Sequence, residues 1–131
     1  MLFRSASDAT WRPLLTTPPY PDYPCALPAD SGAHAAVLRR FLGTDNVAFT
    51  RTVNAGAVPL PVPLEPLPAK PITREFDSLS EAAFESAEAR VFAGIHFRSG
   101  CYAGKRLGTQ IGRYVFMNYL RPMHGHGRDG N

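Results

Sequence analysis

Several things are scarce in this chain, and each scarcity closes a class of answer. There are two cysteines, Cys25 and Cys101, in 131 residues. That is too few for a disulfide framework, and free thiols are the default expectation. No apolar run approaches the roughly 20 residues needed to cross a bilayer, so no membrane span is expected. No run of like charge occurs, and the formal net charge is only +3. That is mildly basic, compatible with small anions and too scattered to argue for nucleic acid. There is no Gly-rich phosphate loop, zinc-ligand spacing, Cys-x-x-Cys pair, nucleophile elbow or internal repeat. The start, Met1-Leu2-Phe3-Arg4-Ser5, does not read as a secretory signal, which makes the cytoplasm the default expectation.

Proline is what the chain has in excess. The thirteen prolines are concentrated in residues 13–28 and 59–71, all but Pro122, and these stretches cannot be regular helix or central strand. They read as extended segments wrapped over a helical scaffold. A length of 131 residues suits one domain with a modest core.

Taken in order, residues 1–10 lack periodicity and read as a loose N-terminal segment. Residues 11–15 read as a short apolar knot, and residues 16–24 as a polyproline-like strap with tyrosines beneath it. Asp30 or Ser31 can cap a helix, with Ala35, Val37, Leu38, Phe41 and Leu42 on one face and Gly43 ending it. His34, in its first turn, reads as solvated. Residues 46–53 form a short candidate strand, with 47–53 expected to pair with 72–76 across a long Pro-rich loop. Ser78-Leu79-Ser80-Glu81 is a capping box that opens a helix expected to run from Leu79 to about Phe97. Its stripe is Leu79, Ala83, Ala87, Val91 and Ile95, widened by Phe84 and Phe92. Residues 100–104 read as a linker. A last helix is expected from Lys105 to Tyr119, with Leu107, Ile111 and Val115 at spacing four. His124 and His126 sit in a Gly-rich stretch, 123–131, which reads as a flexible tail rather than a metal site.

The stretch with most chemistry in it is Ala89-Arg90-Val91-Phe92-Ala93-Gly94-Ile95-His96. Arg binds an oxyanion with two parallel hydrogen bonds. Neutral His attacks phosphorus or ligates a metal through one ring nitrogen. On a continuous helix, six residues turn by roughly 600°, leaving the two side chains about 120° apart. On spacing alone, surface charge is therefore the plainer reading of the pair.

A set of linked motifs changes that balance. They are Trp11-x-Pro13-Leu14-Leu15, Thr17-Pro18-Pro19-x-Pro21-x-Tyr23-Pro24, Ser31-Gly32-Ala33 and Val37-Leu38-Arg39-Arg40-Phe41-x-Gly43-Thr44-Asp45. Phe76-Asp77-Ser78-x-Ser80-Glu81-Ala82-Ala83, Ala89-Arg90-Val91-x-x-Gly94-Ile95-His96-Phe97-Arg98 and Gly104-x-x-Leu107-Gly108-x-x-Ile111-Gly112 follow. Over residues 11–122 the chain resembles the C-terminal part of a vanadium-dependent haloperoxidase-like protein, of the superfamily that includes type-2 phosphatidic acid phosphatases. The resemblance implies an all-α fold, a partial helical bundle with Pro-rich extended loops. It also implies an oxyanion site built from three motifs. Arg90 matches the Arg that holds an equatorial oxygen. His96 matches the His that ligates vanadate in the haloperoxidases and forms a phosphohistidine in the phosphatases. Ala89 stands where the family has Ser, and Gly100 where it often has an Asp four residues after the His. The second motif, Pro-Ser-Gly-His, aligns with Pro24-Cys25-Ala26-Leu27. Cys25 and Ala26 would then line the oxyanion, and Leu27 replaces the acid/base His, which it cannot do chemically. The first motif, a Lys and an Arg-Pro, has no counterpart; Arg12-Pro13 belongs to the Trp-x-Pro-Leu-Leu element.

The resemblance thus points to a truncated, degenerate haloperoxidase-like chain with a remnant vanadate or phosphate site. Three readings remain open. One is residual turnover, with hydrogen peroxide and halide as substrates or with a phosphoester in phosphatase-like hydrolysis. The second is a fragment without turnover. The third is a subunit whose apolar surface docks on a second copy or a complementing chain.

Overall fold

The computed structural model describes residues 8–53 and 71–119. The expectations for residues 1–7, residues 54–70 of the Pro-rich loop and the histidine-bearing tail lie outside that set. The element order is α1 (Ala26–Leu42), β1 (Phe49–Val53), β2 (Ile72–Phe76), α2 (Leu79–Phe92) and α3 (Arg98–Asn118). Three helices and one small sheet make the helical architecture that the sequence implied. No helix among the described residues is long and apolar enough to cross a membrane.

Helix α1 begins at Ala26, five residues before the expected Ser31. Cys25 is its N-cap, with extended backbone at φ −66° and ψ 125°. Pro28 is tolerated because the first helical turn has no intrahelical use for its N–H. Arg39 and Arg40 lie in the last turn, where cations suit the helix dipole, and Gly43 ends the helix at φ 71°. The buried face is Pro28, Gly32 and Ala36. The large residues expected inside are outside: Leu38 is 43% and Phe41 76% exposed.

Strands β1 and β2 pair antiparallel, with Phe49 opposite Phe76 and Val53 opposite Ile72. The two phenyl rings lie 5.1 Å apart, and Phe76 alone in the hairpin is buried. The hairpin leads into α2. Ser78 Oγ accepts from the Glu81 amide at 3.1 Å, and a Glu81 carboxylate oxygen accepts from the Asp77 amide at 2.8 Å. This is the expected cap, shifted by one residue on its return bond. Asp45, just past α1, accepts from the Ser80 amide and from Arg39 Nε, both at 3.1 Å, and so ties the end of α1 to the start of α2.

Helix α3 departs most from expectation. Residues 100–104 are not a linker; they form its first turns. Gly100, Gly104, Gly108 and Gly112 recur every fourth residue and are buried with Cys101 and Ala103. Four helical glycines oppose helix formation by roughly 2–4 kcal/mol in total, at about 0.5–1 kcal/mol each. Gly104, Gly108 and Gly112 are there because α1 and its N-cap lie directly on them, and Gly100 because Asp22 does. A Cβ on Gly104 would overlap the Cys25 carbonyl oxygen, one on Gly108 the Ala29 oxygen and one on Gly112 the Ala33 oxygen. In return, a Cβ on Gly32 would stand 2.6 Å from the Lys105 oxygen. Two backbones in contact form the main seam of the molecule. The core beside it is small: Cys25, Ala87 and Cys101, with Val91 and Tyr102 packed around them.

Candidate functional site

The site forms where α2 stops. The sequence suggested that α2 would continue to Phe97, but it ends at Phe92, with Ala93 as C-cap. Gly94 then takes φ +72°, the left-handed conformation that closes many helices. A side chain at Gly94 would also meet the Trp11 ring, at 2.9 Å. The apolar knot ahead of the strap seals this end: the Leu14 and Leu15 amides both donate to the Ala93 carbonyl, at 3.0 and 3.4 Å. Arg90 therefore stays on the helix while His96 sits in the turn beyond it. The angular mismatch of a continuous helix does not arise.

His96 is enclosed, its side chain 2% exposed. Its Nδ1 lies 2.7 Å from Asp22 Oδ1, and the same oxygen accepts from the Phe97 amide at 3.1 Å. Tyr20 stacks on the imidazole, ring centroids 5.8 Å apart at 29°. The Tyr20 hydroxyl accepts from Arg90 Nη2 at 3.2 Å, so one side chain of the strap touches both residues. Two buried nitrogens at this place have no hydrogen-bond partner among the described residues: His96 Nε2 and Arg90 Nε. Beside His96 opens a cleft of about 560 Å³, bordered by Trp11, Thr17, Asp22, Val91, Gly94 and Phe97 among others.

The other expected site residues are placed differently. Cys25 is fully buried as the N-cap of α1, and its amide donates to the Gly100 carbonyl at 3.1 Å. Burial pushes its thiol pKa up, partly countered by a hydrogen bond with Cys101. Burial, then the neighbouring Cys25, pushes the Cys101 thiol up to about 12. Both are free, protonated thiols. Ala26 and Leu27 are exposed, Leu27 by 44%, in the first turn of α1. His34 is exposed as expected. Across the turn, Arg98 holds Glu88 with hydrogen bonds of 2.6 and 2.7 Å, and the Tyr102 hydroxyl donates to Glu88 at 2.8 Å. Tyr102 and Arg98, in that order, hold the Glu88 carboxyl below its ordinary range. This clamp pins α2 to α3 on either side of His96.

Sequence reading missed Asp22 and Tyr20. Both lie in the proline strap, and the Asp22–His96 contact spans 74 positions. The one available signal was an acidic residue in an otherwise uncharged Pro-rich stretch.

Residues 3–125 match the family model described as the VCPO second helical-bundle domain. The chain belongs to that family. The match covers the whole of the described fold, and three bacterial crystal structures share it. The holo-type vanadium-dependent chloroperoxidase aligns with a TM-score of 0.69 and 22% identity, covering 83% of this chain. The apo-type chloroperoxidase gives 0.61 and 23% over 74%. A vanadium-dependent iodoperoxidase gives 0.62 with 34% identity over 81%. This second-bundle domain spans only 23%, 21% and 23% of those proteins, respectively. No curated protein matches it. The haloperoxidase resemblance read from the motifs is borne out, as is the helical-bundle fold.

Proposed function

We propose that this second-bundle domain carries part of a haloperoxidase-type oxyanion centre, in which His96 Nε2 and the Arg90 guanidinium contact a tetrahedral oxyanion such as vanadate or phosphate. The observation that carries this reading is the pair of buried nitrogens, His96 Nε2 and Arg90 Nε, without partners among the described residues. A buried polar atom left unpaired costs roughly 1–3 kcal/mol, and an anion between the two would relieve both. A Tyr20 hydroxyl on Arg90 Nη2 leaves the rest of the guanidinium for that contact. The donor chemistry suits vanadate: an imidazole nitrogen as ligand and a permanent cation for its oxygens. When bound, vanadate would supply a Lewis-acid centre that polarises peroxide for attack by halide.

The same residues argue for binding without turnover by this domain alone. A dianion leaving water needs several charged donors, and Arg90 is the one assigned here. Leu27, aligned with the acid/base His, has no proton to give. General acid–base catalysis is worth about 10²–10⁴-fold, and phosphohistidine chemistry at His96 would lack it equally. The centre therefore reads as a remnant or an incomplete half. Many large apolar side chains are exposed, Phe92 at 77% and Phe97 at 76% next to the site. They support the further reading that a complementing helical bundle, or a second copy, covers this end when the centre is whole.

Equilibrium binding of orthovanadate, with Arg90→Ala and His96→Ala beside the parent, tests the proposal. Binding by the parent and loss in both variants is expected, with phosphate competing. No binding by the parent sinks it.

A further inference from the structure

The side chain that decides how His96 presents itself is not on α2 or α3. Asp22 Oδ1 receives both His96 Nδ1, at 2.7 Å, and the Phe97 amide, at 3.1 Å. An oxygen that already accepts from an amide is an acceptor toward the ring as well, so Nδ1 carries the proton. The lone pair then falls on Nε2, the buried nitrogen without a partner among the described residues. The space that Asp22 needs is provided by Gly100. A Cβ there would lie 2.7 Å from the Asp22 carbonyl oxygen and 2.9 Å from Oδ2. Both carboxylate oxygens are thus accounted for, one by two donors and the other by the missing side chain of α3.

We infer that Asp22 is the positioning residue of His96, fixing its tautomer and ring orientation from the proline strap, and that residue 100 is glycine because Asp22 fills its side-chain space. The inference deepens the reading of His96 as an anion ligand and rests on it. Outer carboxylates that orient a ligating histidine commonly matter about 10–100-fold for affinity. A second role for Asp22 is plain from the same geometry. Its charge sits at the N-terminus of α3, where Phe97 offers no side-chain cap and an anion is favoured. A test must therefore separate positioning from capping.

Ring-nitrogen NMR shifts of labelled histidine do so, at a pH where the imidazole is neutral. The parent is expected to show Nδ1 protonated and Nε2 bare. Asp22→Ala should move the proton mainly to Nε2, while Asp22→Asn, which keeps an acceptor oxygen in place, should retain the parent pattern. Gly100→Ala should resemble Asp22→Ala by displacing the carboxylate; if that variant does not fold, the two Asp22 variants still decide. Orthovanadate affinity should fall about 10–100-fold in Asp22→Ala. An unchanged tautomer in Asp22→Ala overturns the inference and leaves Asp22 as a helix cap. The expected tautomer shifts in a parent chain that binds no orthovanadate uphold the role of Asp22 and count only against the anion site.

Discussion

Along α3, the side against α1 carries Gly104, Gly108 and Gly112, and the exposed side carries Leu107, Ile111 and Tyr114, open by 41%, 47% and 59%. The smallest residue is buried and the large apolar ones are not. Bulk apolarity is a poor guide to the inside of this helix because the α1–α3 seam is made by backbone approach. Main-chain atoms in van der Waals contact gain dispersion along their whole length, and each added methyl would separate them. On the exposed side the same helix offers a contiguous apolar row, which on a finished surface marks an interaction site.

The sharpest way to break this contrast is Gly108→Ala. Its methyl would overlap the Ala29 carbonyl oxygen. Overpacking ordinarily costs about 1–3 kcal/mol; with backbone as the obstacle, we expect about 3 kcal/mol, read as a drop in the urea midpoint. An unchanged midpoint would mean that the seam is looser than described.

The upper end of the seam holds the two thiols, and pH probes it. The Cys101 thiol is raised to about 12 from an ordinary 9.0. A folded-state value above the unfolded one gives a contribution that is complete below the ordinary thiol range. It declines as pH rises toward about 12, because the unfolded chain releases its proton first. Urea midpoints should therefore fall through that alkaline window in the parent and fall less in Cys101→Ala. Equal alkaline slopes would show the thiols to be more open than their burial implies.

The smallest effect belongs to the exposed row. Leu107→Ser and Ile111→Ser should each change stability by within about 0.5 kcal/mol. A loss above 1 kcal/mol in either, on the same urea scale, would show that the row is already covered in solution.

This contrast also explains what could be read from the sequence. The α2 stripe was legible at Ala83 and Ala87, which follow ordinary helical periodicity and are buried, but Phe84 and Phe92, expected to widen it, are exposed, and Ile95 lies beyond the helix end. The Ser78 cap was legible because it is local chemistry, and the pairing of 47–53 with 72–76 because both segments have strand composition, the observed strand beginning at Phe49. Residues 100–104 were misread as a linker because glycine's weak helix propensity is the strongest local signal there, and tertiary contact overrides it. Similarly, the large apolar face assigned to α1 was the wrong face. At the site, Arg90 and His96 were found through a shared motif. The helix break between them depends on Gly94 and on amides from Leu14 and Leu15, and Asp22 arrives from far along the chain. Long-range partners leave no mark on periodicity.

The obstacle at each seam glycine is a carbonyl oxygen, which every amino acid carries. A bulky replacement at residue 104, 108 or 112 accordingly has no second-site suppressor among α1 side chains, since no exchange at Cys25, Ala29 or Ala33 removes the atom in the way. Relief would require α1 to retreat as a rigid body, which would also withdraw Cys25 from the Gly100 carbonyl. A lineage can vary the outer row of α3 one residue at a time; the inner row can change only together with the placement of a whole helix.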